Sequence, residues 1–127
     1  MGGPVLIVED DPAIRHVLQL VLEEQGCTVA LASDGLEALR QLDRELPDLI
    51  LLDLMMPRMD GAAFLAELGS RGLRPGIPII VLSASPGGDR WSAEVGAEGF
   101  LPKPFDVPAL QEAVARVAAT KALAPVF

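Results

Sequence analysis

Three acids stand side by side at Glu9-Asp10-Asp11, a fourth stands at Asp53, and a hydroxyl and an ammonium follow at Ser83 and Lys103. All of them come at or just after the end of a short apolar run: Val5–Val8, Leu49–Leu52, Ile79–Leu82 and Gly99–Leu101. Were those runs parallel strands, the groups would share one edge of a sheet, the edge at which open α/β sheets bind their ligands. Carboxylates about 4 Å apart repel by about 4 kcal/mol at an effective dielectric of about 20. Glu9, Asp10 and Asp53 therefore need a counter-charge if they gather. Lys103 offsets one charge and a divalent cation the rest, and Mg²⁺ favours a few carboxylate oxygens with retained waters. A zinc or iron set is not indicated, because His16 and Cys27 fall on separate elements. A carboxylate beside Mg²⁺, with a lysine and a hydroxyl close by, suits phosphoryl transfer, which asks mainly for positioning and charge neutralisation. Asp53 would be the nucleophile and would form an acyl phosphate.

Taken singly, each residue has a plainer explanation. An acid after a strand usually caps the next helix, and that is the reading for Asp11. A serine in such a place is usually a turn residue, and a lone lysine is usually solvated. His16 reads as a surface residue, and Cys27 as a buried structural thiol on a strand in preference to a redox centre. The joint placement of suitable groups at successive strand ends is what these separate explanations leave uncovered.

The apolar runs lack polar alternation, as expected for parallel strands covered by helices on both faces. Cys27–Ala32 adds a weaker strand, expected nearer a sheet edge, and Gly99–Leu101 is the last and shortest. Amphipathic stretches fill the intervals. Asp11-Pro12 opens the first helix, Ile14, Leu18, Val21 and Leu22 mark its inner face, and Gly26 ends it. Asp34-Gly35 leads a second helix with Leu36, Leu39 and Leu42 inward, and Gly61–Ser70 forms a third. A short fourth follows Pro86-Gly87-Gly88 around Asp89–Val95, and Asp106 starts a fifth with Leu110, Val114 and Val117 as its buried stripe. Val17 and Leu20 widen the apolar face of the first helix, and extra core contact is expected of them ahead of a docking role. Five strands alternating with five helices, strand first, make a doubly wound α/β sheet, and right-handed crossovers leave few arrangements for it.

The chain has 127 residues, 50% of them hydrophobic, enough for one full core without disulfides or a structural metal. Residues 1–120 are read as that single domain and 121–127 as a fraying C-terminal tail. A net charge of −8, with Lys and Arg scattered, argues against a nucleic-acid footprint. No apolar run approaches the about 20 residues of a membrane span. Met1-Gly2-Gly3-Pro4 has neither the charge nor the apolar stretch of a signal peptide, so a cytoplasmic protein is expected.

From Pro4 to Ala119 the chain resembles the receiver domains of bacterial two-component response regulators. The resemblance rests on Val5-Leu6-Ile7-Val8-Glu9-Asp10-Asp11, on Asp53-Leu54-Met55-Met56-Pro57-Arg58-Met59-Asp60-Gly61, on Leu82-Ser83-Ala84 and on Gly96-Ala97-Glu98-Gly99-Phe100-Leu101-Pro102-Lys103-Pro104-Phe105, in that order. It implies a flavodoxin-like, five-stranded parallel sheet of order 2-1-3-4-5 with five helices. It makes Asp53 the phosphoacceptor and Asp10 the direct Mg²⁺ ligand, with Glu9 acting largely through water and the Met55 backbone carbonyl completing the set. Ser83 becomes the switch hydroxyl, helped by the Ala84 amide in binding the phosphoryl group. Lys103 becomes the phosphoryl-binding cation, standing with Ser83 across from the metal, and Phe100 the aromatic switch. The Lys103-Pro104 bond would be cis, as X-Pro bonds tolerate. A histidine kinase or phosphotransfer protein is the implied donor. The downstream target is not named by the resemblance, and a phosphorylation-dependent homodimer is compatible with it. Such a protein accepts a phosphoryl group but is not a turnover enzyme; because Met55 and Ser85 offer no group to orient an attacking water, slow loss of the phosphoryl group is expected here.

Two departures stand out. Phe100 lacks a hydroxyl, so this switch signals by packing alone. The interval from Ser83 to Lys103 is shorter than in typical relatives, in the stretch Ser85-Pro86-Gly87-Gly88 before the fourth helix. That shortening puts the family's usual output and dimerisation face in doubt. Trp91 lies in this region and is expected to pack over the shortened helix. The rival readings are a degenerate receiver that only binds proteins, a small Asp-nucleophile hydrolase and a flavin-binding relative of similar fold. Met55 counts against the hydrolase, which commonly carries an acid two residues after its nucleophile. The acids after the first strand would repel a flavin phosphate. The residues after the fifth helix are too few for a further domain, and the expectation is either a receiver acting through protein contacts or a piece of a longer regulator.

Overall fold

The computed structural model describes residues 4–55, 59–74 and 76–123, with side chains through 119. Met1-Gly2-Gly3, the Met56-Pro57-Arg58 part of the second motif and the expected tail end, Ala124–Phe127, lie outside the described residues. The elements run β1 (Val5–Val8), α1 (Pro12–Glu24), β2 (Val29–Ala32), α2 (Gly35–Arg44), β3 (Leu49–Asp53), α3 (Gly61–Ser70), β4 (Ile79–Ser83), α4 (Gly88–Glu94), β5 (Gly99–Pro102) and α5 (Val107–Leu123). All pairings are parallel and the strand order is β2-β1-β3-β4-β5.

The unbroken apolar runs follow from a sheet covered on both sides, because side chains alternate between faces along a strand. On one face Val5, Ile7, Leu49, Leu51, Ile80, Leu82 and Leu101 pack with Leu18, Val21 and Leu22 of α1 and Leu110, Ala113, Val114 and Val117 of α5. On the other, Leu6, Val8, Ile50, Leu52, Ile79 and Val81 meet Ala38, Leu39 and Leu42 of α2 and Phe64 and Leu68 of α3. Leu51 is fully buried at the centre, and truncating such a leucine to alanine costs about 2–5 kcal/mol.

The helix starts are written in acids. Asp11 accepts hydrogen bonds from the Ala13 and Ile14 amides at 2.8 and 3.2 Å, with Pro12 in the first helical turn. Asp34, Asp60 and Asp106 accept from the Glu37, Ala63 and Ala109 amides in the same way. Only α4 differs. Its N-cap is Gly87, in the left-handed region at φ 81°, and no side chain caps it.

Several expectations need correction. Val17 and Leu20 are not core residues: they are 44% and 48% exposed, because Leu18, Val21 and Leu22 already fill the face of α1 that meets the sheet. Leu36 is likewise exposed, and α2 turns Ala38, Leu39 and Leu42 inward instead. Cys27 precedes β2 and does not belong to it; its thiol is partly buried against the first core cluster, and that burial raises its pKa. α5 runs through Leu123 and so takes in the start of the expected tail. Among the described residues no helix is long and apolar enough to cross a membrane.

Candidate functional site

Strand register brings the chemical groups together. Val8 pairs with Leu52, Asp53 with Leu82 and Ser83 with Pro102, so Glu9, Asp53, Ser83 and Lys103 all sit at the carboxyl edge of the sheet. The Lys103 amide donates to the Ser83 carbonyl at 2.9 Å, and the Leu54 amide to the Leu82 carbonyl at 3.2 Å, which continues the pairing beyond the strand ends. The cis Lys103-Pro104 peptide follows directly.

Glu9 is completely buried, Asp53 nearly so, and Asp10 is exposed. One carboxylate oxygen from each lies within 4.8 Å of the others. The expected arrangement with Lys103 across from these acids does not hold. Its Nζ sits among them, 2.7 Å from Glu9 Oε1 and 3.4 Å from Asp53 Oδ1. The reason is electrostatic: a buried carboxylate needs a paired charge, and Lys103 is the cation that reaches Glu9. Beyond that ion pair, Glu9 Oε1 has no hydrogen-bond partner among the described residues, and Oε2 accepts from the Asp11 amide at 3.2 Å.

These contacts set the protonation of the pair. Burial pushes the Asp53 carboxyl up to about 7, helped by the Glu9 charge and a side-chain hydrogen bond with Asp10, against the pull of Lys103 and of the Met55 amide. That amide donates to Asp53 Oδ1 at 3.3 Å. For Lys103, burial works against the charged form, but the Glu9 hydrogen bond and the Asp53 and Glu9 charges outweigh it and raise its pKa. Two acids and a lysine therefore share too little positive charge.

The residues fit Mg²⁺. Every donor is a hard carboxylate oxygen, the buried Glu9 Oε1 has no partner beyond Lys103 Nζ among the described residues, and the set carries more negative charge than Lys103 neutralises. Met55 adjoins the cluster with its backbone while its side chain is 66% exposed.

Ser83 is buried at the end of β4, and its Oγ accepts from the Ser85 amide at 2.9 Å. Ala84, next to it, is exposed. Phe100, on β5, is half-buried and packs against the second core cluster, as does Trp91. Trp91 is partly buried there as expected, and also lines an open depression with Leu54, Met55, Ser85 and Gly88. His16 lies on the exposed surface of α1.

Sequence reasoning missed Arg15. Its Nη1 donates to the Glu9 carbonyl at 2.8 Å and to the Asp10 carbonyl at 3.4 Å, fastening the acid loop to the first turn of α1. The signal was present: side chains on a helix lean toward its N-terminus, so a long cation one turn after the cap at Asp11 reaches back over Glu9-Asp10.

The family model described as "Response regulator receiver domain" matches residues 5–115. The response regulator MprA of Mycobacterium ulcerans is 43% identical over 121 residues, which is 94% of this chain and 50% of that protein. The chain thus spans about half the length of the curated relatives it matches. A CheY-like response regulator receiver domain protein from Methanospirillum hungatei JF-1 superposes with a TM-score of 0.84 at 28% identity, covering 95% of this chain and 97% of that one. Chemotaxis protein CheY4 of Vibrio cholerae does so with a TM-score of 0.82 at 33% identity, covering 92% and 99%.

Proposed function

We propose the following role for the chain, which belongs to the response regulator receiver domain family of two-component systems: Asp53 accepts a phosphoryl group and the domain signals by changing shape. A receiver of such a system implies a histidine kinase, or a phosphotransfer protein, as donor. The transfer breaks the phosphorus–nitrogen bond of a phosphohistidine and forms a phosphorus–oxygen bond to the Asp53 carboxylate. Asp53 carries this reading because it is the buried acid at a strand end that faces both a lysine and two further carboxylates.

Asp10 and Asp53 would hold Mg²⁺ directly, with the Met55 carbonyl beside them and Glu9 acting largely through water. The ion supplies charge neutralisation, both for the gathered carboxylates and for the oxygens of the group in transfer. Lys103 supplies a second cation. Within reach of Asp53, it is placed to leave the Glu9 pair in part and bind a phosphoryl oxygen. The Ala84 amide donates to the phosphoryl group beside Ser83. Ser83 gives up its bond with the Ser85 amide and turns toward the new oxygens, and Phe100 packs into the space released. Phosphorylation thus shifts a population between two arrangements of β4, α4 and β5.

The unit with this role is a single domain that takes in the whole of α5 through Leu123, in the cytoplasm, without direct nucleic-acid contact and not as a turnover enzyme. Incubation with Mg²⁺ and a small phosphodonor tests it: the intact mass of the wild type gains one phosphoryl group and that of Asp53→Ala gains none. A modified Asp53→Ala, or an unmodified wild type, overturns the assignment, and the second outcome favours a degenerate receiver that only binds proteins. The phosphoryl group, once on, is lost slowly. Met55 and Ser85 flank the site without a carboxylate or amide side chain to orient an attacking water, so a half-life of seconds would count against this arrangement.

A further inference from the structure

Ser83 and Phe100 meet on a single backbone position. Gly88, the first residue of α4, is buried, and a methyl group placed on its Cα would lie 2.8 Å from Ser83 Oγ, 2.9 Å from Ser83 Cβ and 3.3 Å from Phe100 Cε1. The first two separations are shorter than side-chain carbons tolerate, so an alanine at 88 forces a neighbour to move.

The turn around it leaves little slack. Ser83 Oγ accepts from the Ser85 amide, and the Gly88 amide donates to the Ser85 carbonyl at 3.1 Å. Gly87 occupies the left-handed region at φ 81°, where only glycine turns cheaply. On its far side α4 is held by Trp91, packed on the second core cluster, and by Ser92, whose hydroxyl faces the Gly99 carbonyl at 3.5 Å. The short interval between Ser83 and α4 thus brings the helix backbone directly against the hydroxyl.

We propose that Gly88 is a positioning residue: its missing side chain is the space in which Ser83 rests on the Ser85 amide, beside Phe100. Filling that space disfavours the resting position of Ser83: turning Oγ toward Asp53 relieves the contact to Oγ, and a small withdrawal of α4 from β4 relieves the one to Ser83 Cβ, so both adjustments favour the rearranged state of β4 and α4. This rests on the switch reading of Ser83 given above.

Beryllofluoride, an acyl-phosphate mimic, tests it on the whole chain with Mg²⁺. Binding is followed by calorimetry and by the fluorescence of Trp91, the sole tryptophan. Gly88→Ala is expected to bind beryllofluoride at least about fivefold more tightly than wild type, the lower end of ordinary coupling between sites. In a Ser83→Gly background, where both close atoms are gone, the same change at 88 is expected to have no effect. Equal or weaker binding by a folded Gly88→Ala overturns the proposal, as does the same gain in both backgrounds. Should Gly88→Ala be unfolded alone, Mg²⁺ and beryllofluoride together are expected to restore its far-UV spectrum, and failure to do so also overturns it. A wild type that does not bind beryllofluoride at all instead sinks the receiver reading beneath it.

Discussion

Two charged clusters close opposite ends of the β4–β5 half of the sheet, and they are built on opposite principles. At the amino edge Arg74 donates to the Ile77 and Gly96 carbonyls and to Glu98 Oε1 at 2.8–2.9 Å, and the same Glu98 oxygen accepts from the Ile79 amide at 2.8 Å. One cation meets one acid, and both find backbone partners. At the carboxyl edge one lysine faces Glu9 and Asp53 with Asp10 alongside, and the buried Glu9 Oε1 has no partner beyond that lysine among the described residues. The first cluster holds two loops together. The second is short of positive charge, and in the proposed role that shortage would draw in a cation, whose charge in turn would receive an incoming phosphoryl group. Ion pairing alone does not separate a structural site from a working one; the unmatched remainder does.

The largest effect expected is all-or-none. Asp53→Asn removes the acceptor, and phosphorylation by an Mg²⁺-supported donor falls to nothing by intact mass, while Glu98→Gln keeps full incorporation. Next comes Lys103→Met. Without its partner Glu9 is a buried, uncompensated charge, and breaking such a pair costs about 3–5 kcal/mol. Urea unfolding of the Mg²⁺-free protein reads this loss. A cost under about 1 kcal/mol, typical of exposed pairs, would show that water already screens the cluster.

The unmatched charge also has a pH signature. Asp53 titrates at 3.8 when unperturbed and near 7, as pushed up in the folded protein. Between those values the folded chain holds a proton on Asp53 that the unfolded chain has released, so this residue's contribution to stability falls as pH rises through the window. Comparing wild type with Asp53→Asn cancels the other acids. With a chelator present, the stability of wild type relative to the variant is expected to decline from about pH 4 to about pH 7; a flat difference would remove the electrostatic account. Adding Mg²⁺ is expected to reverse the penalty. At a concentration about 100 times its dissociation constant a ligand stabilises by about 2.7 kcal/mol, and that gain is expected in Glu98→Gln but lost in Asp10→Asn.

The sequence carried the general scheme of both clusters unequally. The strands were legible because unbroken runs such as Ile79–Leu82 have no other use in a chain of this length, and β2 was correctly placed at an edge. The gathering of Glu9, Asp10 and Asp53 followed once the strand ends were aligned. The partner of Lys103 did not, since distance along the chain says nothing about which of two neighbouring acids is buried and so claims the cation. The pairing of Arg74 with Glu98 is hidden for the same reason, although Glu98 lies within a motif. Val17 and Leu20 misled because helical spacing shows where an apolar stripe lies but not how wide a stripe the neighbouring sheet can cover. Gly88 was visible only as part of a short turn, and its contact with Ser83 needed coordinates.

The smallest effect belongs to the matched cluster and tests the comparison from its other side. Glu98→Gln keeps a carbonyl oxygen for the Ile79 amide and for Arg74 but removes the charge, whereas Arg74→Met leaves the Ile77 and Gly96 carbonyls and Glu98 without their donor. A hydrogen bond to a charged group is worth about 1.5–3 kcal/mol, and Arg74 makes several, but its partners lie near the surface and water can replace part of what is lost. A cost of about 1–2 kcal/mol is therefore expected for Arg74→Met, and less for Glu98→Gln. Mg²⁺ affinity and beryllofluoride binding should stay at wild-type values in both. If either variant shifts those affinities severalfold, the amino-edge clasp is no passive tie between loops but biases β4 and β5 from below, and the two ends of the sheet would have to be treated as one coupled system.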